Sequence, residues 1–227
     1  MRILFEDNHC LAVAKPAGLL TQAPAGVPSA ERWAKEHIRT KFGKTGNVYL
    51  GVPHRLDRPV SGVLLFARSG KAARRLAEQF RDRVVVKTYW GLVEGELNEA
   101  EGEWRDWLRK VPNESRAEIV AEDAEGAKLA AMRFRLLNVG DGCAMVEFRP
   151  ETGRMHQIRI QSASRGHPLL GDALYGSKVA FGPTADEPRD RIIALHARSL
   201  LFLHPISYEP MTLDAPLGED WATRWNP

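Results

Sequence analysis

The sequence predicts an α+β fold: one domain spanning residues 1–227, built on a mainly antiparallel mixed β-sheet with flanking helices and loops. Three observations carry this. Short apolar or β-branched runs outnumber helical patterns along the chain. Asp141-Gly142 separates two such runs, and that dipeptide is a strong hairpin signal. Pro and Gly are spread through the connections, with no linker-like stretch and no repeat to divide the chain.

Residues 2–6 and 10–14 read as two short strands, broken by Lys15-Pro16-Ala17-Gly18. Ser29 caps a helix running to about Thr40, and residues 43–46 read as loop. Val60 to Ala67 is an almost unbroken apolar run, the pattern of a buried strand. Ser69 caps a second helix, about 70–82. Its apolar face is Ala72, Ala73, Leu76, Ala77 and Phe80, and its polar face carries Lys71, Arg74, Arg75, Glu78, Arg81 and Asp82. Residues 84–93 are β-rich. Strands are expected at 115–121, 128–139 and 143–149. Residues 155–165 half alternate, but Gly166 at the C′ position and Pro168 beyond it decide for a helix. Two closing strands are expected at 192–203 and 207–213.

Composition sets the outer bounds. Apolar residues are 44% and charged residues 27%, which excludes disorder as the default. The longest aliphatic or aromatic run is Val63 to Ala67, far short of the roughly 20 residues a membrane helix needs. Acids interrupt the first residues, so no signal peptide is read and a cytoplasmic protein is expected. The formal charge of +3 permits nucleic-acid binding without demanding it. Cys10 and Cys143 are expected as buried reduced thiols. The seven histidines lack zinc-site spacing, so no metal and no cofactor are expected.

The densest chemistry lies in His54-Arg55-Leu56-Asp57-Arg58-Pro59-Val60-Ser61-Gly62. Two arginines flank one aspartate just before an apolar strand. A positive field favours the ionised carboxylate, which can act as nucleophile or base. A surface turn with a casual ion pair fits the same residues.

The residues as written also resemble the RluA family of RNA pseudouridine synthases. His54-Arg55-Leu56-Asp57 followed by Ser61-Gly62 and an apolar strand resembles its active-site motif. Further blocks follow in the family's order: Phe5-Glu6-Asp7 through Lys15-Pro16-Ala17-Gly18, then Lys87-Thr88-Tyr89 with Leu92-Val93-Glu94-Gly95. Next come Thr152 to Arg159 with Gly166-His167-Pro168 and Gly171-Asp172, and finally Leu195-His196-Ala197 with Phe202 and His204-Pro205. The chain departs from the family at Pro59-Val60, where Asp-Thr is usual. The small S4 domain that many relatives carry is expected to be absent, since the catalytic blocks start at residue 2.

The resemblance implies a pseudouridine-synthase-like fold and a set of roles. Asp57 would be the essential catalytic aspartate, and Arg159 the arginine that keeps it ionised and aimed. Tyr89 would stack on the flipped uracil and help remove the C5 proton, and Ile158 would be the opposite apolar wall. Arg55 would fill the space vacated in the RNA; a phosphate contact or a structural ion pair fits it too. Arg154 is carried over as RNA-binding. So is His54, which with His156 reads as hydrogen-bonding scaffold rather than acid or base. The partner implied is ribosomal or transfer RNA, with no obligate protein partner, no membrane and a monomeric state. A non-catalytic RNA-binding protein of the same fold is the alternative. A nucleoside hydrolase would want a second acid or a metal that the sequence does not offer.

Two features have open readings. Lys71, Arg74, Arg75, Arg81 and Arg83 form either an RNA-facing stripe or a merely solvated face. Trp104, Trp107, Trp221 and Trp225 could stack on bases, although packing is the simpler account. Substrate choice is expected to come from loops within 21–50 and 96–115.

Overall fold

The structure is a computed structural model and describes residues 1–187 and 190–222. In chain order its elements are β1 (Arg2–Glu6), β2 (Cys10–Lys15), α1 (Ala30–Lys41), β3 (Ser61–Ala67), α2 (Gly70–Arg81), β4 (Val86–Glu94), β5 (Glu101–Lys110), β6 (Ala117–Val120), β7 (Lys128–Gly140), β8 (Cys143–Pro150), α3 (Gln157–Ala163), a 3₁₀ turn at Ala173–Tyr175, β9 (Leu195–Leu203), β10 (Pro210–Asp214) and α4 (Glu219–Ala222). The chain groups into two compact units. The first is Met1–Val86 with Ala197–Gly218, and the second is Lys87–His196 with the described residues from Glu219 to Ala222.

In the first unit the strand order is β1-β2-β3-β9-β10. β1 pairs antiparallel with β2, β2 with β3, and β9 with β10. β2 and β3 are buried on both faces, which explains their nearly continuous apolar sequence. Cys10, Ala12, Val63, Leu65 and Ala67 pack with Ala72 and Leu76 of α2 and with Leu200 and Phe202 of β9. Ser29 and Ser69 cap the two helices as expected, accepting from the N–H groups of Arg32 and Ala72. Ala77, assigned to the apolar face of α2, is exposed. Gly62 has φ +121°, and a Cβ there would lie 2.3 Å from the Ala197 carbonyl oxygen, so only glycine fits.

The second unit orders its strands β4-β8-β7-β5-β6, all pairs antiparallel. Asp141-Gly142 forms the β7–β8 turn with both residues at positive φ, as a two-residue hairpin requires. α3 packs against β5, β6 and β8. It begins at Gln157, two residues later than expected, because His156 adopts a left-handed conformation. Gly166 is left-handed but stands two residues past the C-cap Ser164 rather than one. β9 starts at Leu195 rather than 192, and β10 at Pro210 rather than 207, since residues 204–209 form the turn between them.

The largest departure is β5. Residues 101–110, expected as loop, form a ten-residue strand between β7 and β6. Trp104 is therefore core, 4.5 Å from the Phe134 ring, and offers no base-stacking face. Trp221 is likewise buried, against Phe181 and His196. Trp107 is half-buried on β5, and Trp225 lies outside the described residues. Both cysteines are buried thiols outside any disulfide. No helix among the described residues is long and apolar enough to cross a membrane.

Candidate active site

In the first unit Asp57 is half-buried on the loop before β3, and the backbone on both sides of it is pinned. Leu56 exchanges two hydrogen bonds with Thr21, donating its N–H to Oγ1 at 3.1 Å and accepting from Oγ1 at 2.8 Å. The Arg58 carbonyl accepts from the Gly18 N–H at 2.8 Å, and Arg58 Nε returns a bond to the Gly18 carbonyl at 3.0 Å. The Lys15-Pro16-Ala17-Gly18 turn thus clamps the aspartate loop. Pro59 sits inside a turn closed by the Val60 N–H on the Asp57 carbonyl, and Val60 joins the core. The departure from Asp-Thr is accommodated there without an unmet donor.

Behind this loop lies Lys15, 1% exposed. Its ammonium donates to the carbonyls of Pro16, Leu19 and Arg58. Burial pulls its pKa down to about 7, against the opposing pull of the Asp57 charge. His54 accepts the Leu65 N–H on Nε2 and stacks on Phe80, 4.7 Å between ring centroids. That bond places the proton of the neutral ring on Nδ1. Arg55 is exposed to solvent.

In the second unit Tyr89 stands half-buried on β4 opposite Phe148. Ile158 and Arg159 lie buried on α3. The Arg159 guanidinium grips Asp172 with two parallel bonds of 2.6 and 2.7 Å, both side chains buried. Its Cζ lies 5.1 Å from the Tyr175 ring centroid, and the Tyr175 hydroxyl lies 2.9 Å from His156 Nδ1 and accepts the Ala117 N–H. The plane of the Arg159 guanidinium is therefore fixed by charge, ring and hydrogen bond together. Arg154 is half-buried with Nε on the Leu129 carbonyl. Gln157 holds the approach to α3, accepting from Thr152 Oγ1 and the Arg154 N–H and donating to the Ala131 carbonyl.

Sequence reasoning quoted Lys15 and Asp172 inside motifs but gave neither any work, and it passed over Thr21 and Tyr175. One signal was available for Lys15: a charge that closes an apolar strand is either at the surface or paired. Nothing local marks Asp172 as the partner of a residue 13 positions earlier.

Asp7, Cys10 and His204 come close enough to suggest a metal group. Their bonding argues otherwise. Asp7 accepts the N–H groups of His9 and Cys10 on Oδ1 and meets His204 Nε2 on Oδ2. Burial raises the Asp7 pKa, but these partners outweigh it and hold the carboxyl below its usual range. Burial and the Asp7 charge push the Cys10 thiol up to about 12, so it stays protonated and a poor ligand.

The family model for RNA pseudouridylate synthases matches residues 9–164. The chain belongs to that family. This pseudouridine synthase family member is 35% identical over 219 residues to the dual-specificity RNA pseudouridine synthase RluA of Haemophilus influenzae, covering 94% of this chain and 91% of that one. It is 33% identical to ribosomal large subunit pseudouridine synthase C of Vibrio vulnificus, over 96% of this chain and 66% of the relative. It is 32% identical to tRNA pseudouridine synthase C of Haemophilus influenzae, over 100% of this chain and 97% of the relative. The chain thus spans about two thirds of some relatives and nearly all of others. Among solved structures, human RNA pseudouridylate synthase domain containing 4 superposes with a TM-score of 0.78 at 23% identity, covering 97% of this chain and 90% of that one. That likeness establishes a pseudouridine-synthase fold.

Proposed function

We propose that this chain is an RNA pseudouridine synthase that isomerises uridine with Asp57 as its essential group. The observation that carries the reading is the construction around Asp57. A half-buried carboxylate sits on a loop pinned at Leu56 and Arg58, with a buried ammonium behind it. A casual surface ion pair needs no such scaffold. In the reaction the N1–C1′ bond breaks, the uracil turns, C5 bonds to C1′ and the C5 proton leaves as N1 gains one. An ionised aspartate serves as the nucleophile or ion-pair partner. Tyr89 supplies the ring against which the uracil stacks, and Ile158 an apolar wall. Arg159, held rigid by Asp172, takes the place of the family's arginine in this reading.

The finer assignments belong to the same proposal. The two units act as one catalytic domain, in keeping with a family match that runs unbroken through residues 86 and 87. The substrate is ribosomal or transfer RNA, the two classes named among the relatives. The protein works as a cytoplasmic monomer without cofactor or obligate protein partner, and Arg55, Arg154 and His54 serve RNA binding. Mapping pseudouridines in total RNA from cells with and without the gene tests the reading. Sites that vanish with the gene and return with the unaltered chain, but not with Asp57→Asn, are expected. An unchanged map would instead favour a non-catalytic RNA-binding protein.

A further inference from the structure

Helix α2 carries Lys71 and Arg74 on its solvent side, both exposed and neither in an ion pair among the described residues. Arg75 beside them is turned toward the β9–β10 turn. It donates to the Pro205 carbonyl at 2.7 Å, and its guanidinium lies 4.9 Å from the centroid of the Tyr208 ring. Tyr208 occupies a conformation that bulky residues avoid, with φ +63°. Glycine or asparagine would take that place in a turn at lower cost. Burial does not explain the tyrosine, since it is 55% exposed even with Arg75 over one face. More than half of the residue thus remains open to solvent. Positions 71, 74 and 75 share one side of the helix, so two uncommitted cations lie beside the ring's anchor.

We propose that Tyr208, backed by Arg75 and flanked by Lys71 and Arg74, is a second RNA-contact site that takes a single-stranded nucleotide away from the modified uridine. The choice of RNA as partner rests on the pseudouridine synthase reading. An exposed flat ring stacks any base, because every base has a π-face. Exposed cations one helical turn apart meet backbone phosphates without reading sequence. The nearby acids do not cancel them. Glu209 is turned to Ser207 Oγ at 3.3 Å, and Glu78 is the one acid within the α2 segment. A protein partner would want apolar area, and this face offers a single ring among charges.

The test uses the full chain and a labelled oligouridylate of about 12 nucleotides, long enough for a non-specific single-strand site. Binding is followed by fluorescence anisotropy over a range of salt. Tyr208→Ala should weaken binding about fivefold or more, as expected for one lost stack, and Tyr208→Phe should not. Lys71→Gln with Arg74→Gln should reduce the slope of log affinity against log salt by roughly 1.4, about 0.7 per lost phosphate contact. Turnover at saturating RNA should stay at the level of the unaltered chain in all these variants. Unchanged affinity and slope would overturn the surface while leaving the isomerase reading in place. Normal binding losses with no pseudouridine formed by the unaltered chain would overturn the isomerase reading and keep the surface.

Discussion

Asp57 is the residue on which the proposed chemistry turns, and its replacement separates charge from shape. Asp57→Asn keeps the side-chain outline and leaves the clamps at Leu56 and Arg58 in place. Single-turnover isomerisation should fall to background while RNA affinity stays within about twofold, since only the nucleophile is lost. Easily measured turnover would reject the assignment. Lys15 gives a second, independent expectation. Its pKa in the fold is about 7, below the ordinary 10.5, so the unfolded chain binds the extra proton between those values. Stability must then rise with pH through that window, by at most about 1.4 kcal/mol per pH unit from this one group. The penalty is complete below pH 7 and disappears above the unfolded value. Urea unfolding at pH 7 and pH 9 should show the unaltered chain gaining on Lys15→Met. Parallel pH profiles would mean that the carbonyls of Pro16, Leu19 and Arg58 keep Lys15 fully charged. Arg55 differs from both in being exposed. If it fills the stack, Arg55→Ala should slow modification of a stem-loop more than of a short single strand, because flipping costs a few kcal/mol only where the base was stacked. Equal losses on the two would reject that role.

At the scale of elements, legibility followed the physics of each segment. β2, β3, α1 and α2 were readable because their burial is apolar and their caps are ordinary serines. β5 was not. Glu101, Glu103, Arg105, Asp106, Arg109 and Lys110 crowd its sequence, and only Trp104 and Leu108 are buried, so its pairing with β7 and β6 supplies what the pattern hides. α3 defeats pattern reading differently. Gln157 through Ser162 are all buried, polar and apolar alike, and Gln157, Arg159 and the Gln161 amide nitrogen each bond partners distant in sequence. A short helix buried all round has no polar face to reveal its period. The candidate site divides the same way. Asp57, Tyr89 and Arg159 became candidates through motifs, whereas the Asp172 and Tyr175 settings of Arg159 and the Lys15 clamp are products of tertiary placement. Two glycines make these element-scale arguments measurable. Gly142→Ala meets no atom within 4 Å and is strained only by its φ of +71°, so about 1 kcal/mol of stability should go. Gly62→Ala adds a collision with Ala197 to its φ of +121°, and about 2–4 kcal/mol should go. Equal losses in urea unfolding would show that the backbone near Ala197 gives way.

For the whole molecule, the question is whether the reaction needs anything besides the polypeptide. Pseudouridine formation moves one glycosidic bond from nitrogen to carbon and changes no oxidation state overall, so it calls for a positioned anion and a way to hold and turn the base. On the proposed reading the chain offers those as Asp57, Tyr89, Arg159 and Ile158. The one grouping of candidate metal ligands among the described residues is committed elsewhere. Asp7 caps the turn into β2, His204 Nδ1 accepts the Ser207 N–H so that Nε2 carries its proton toward Asp7, and Cys10 is held as a thiol. A cation entering there would have to displace two backbone donors and one ring proton, and deprotonate a thiol whose pKa is about 12. Turnover on a short unstructured RNA should therefore be unchanged in excess EDTA and without added nucleotide. The unstructured substrate matters because magnesium folds larger RNAs, and its removal would slow modification for reasons outside the protein. If activity on the short RNA disappears with chelator and returns with a divalent ion, a metal takes part and the purely side-chain chemistry is wrong. If only structured RNAs are affected, the ion belongs to the substrate and the chemistry needs no metal.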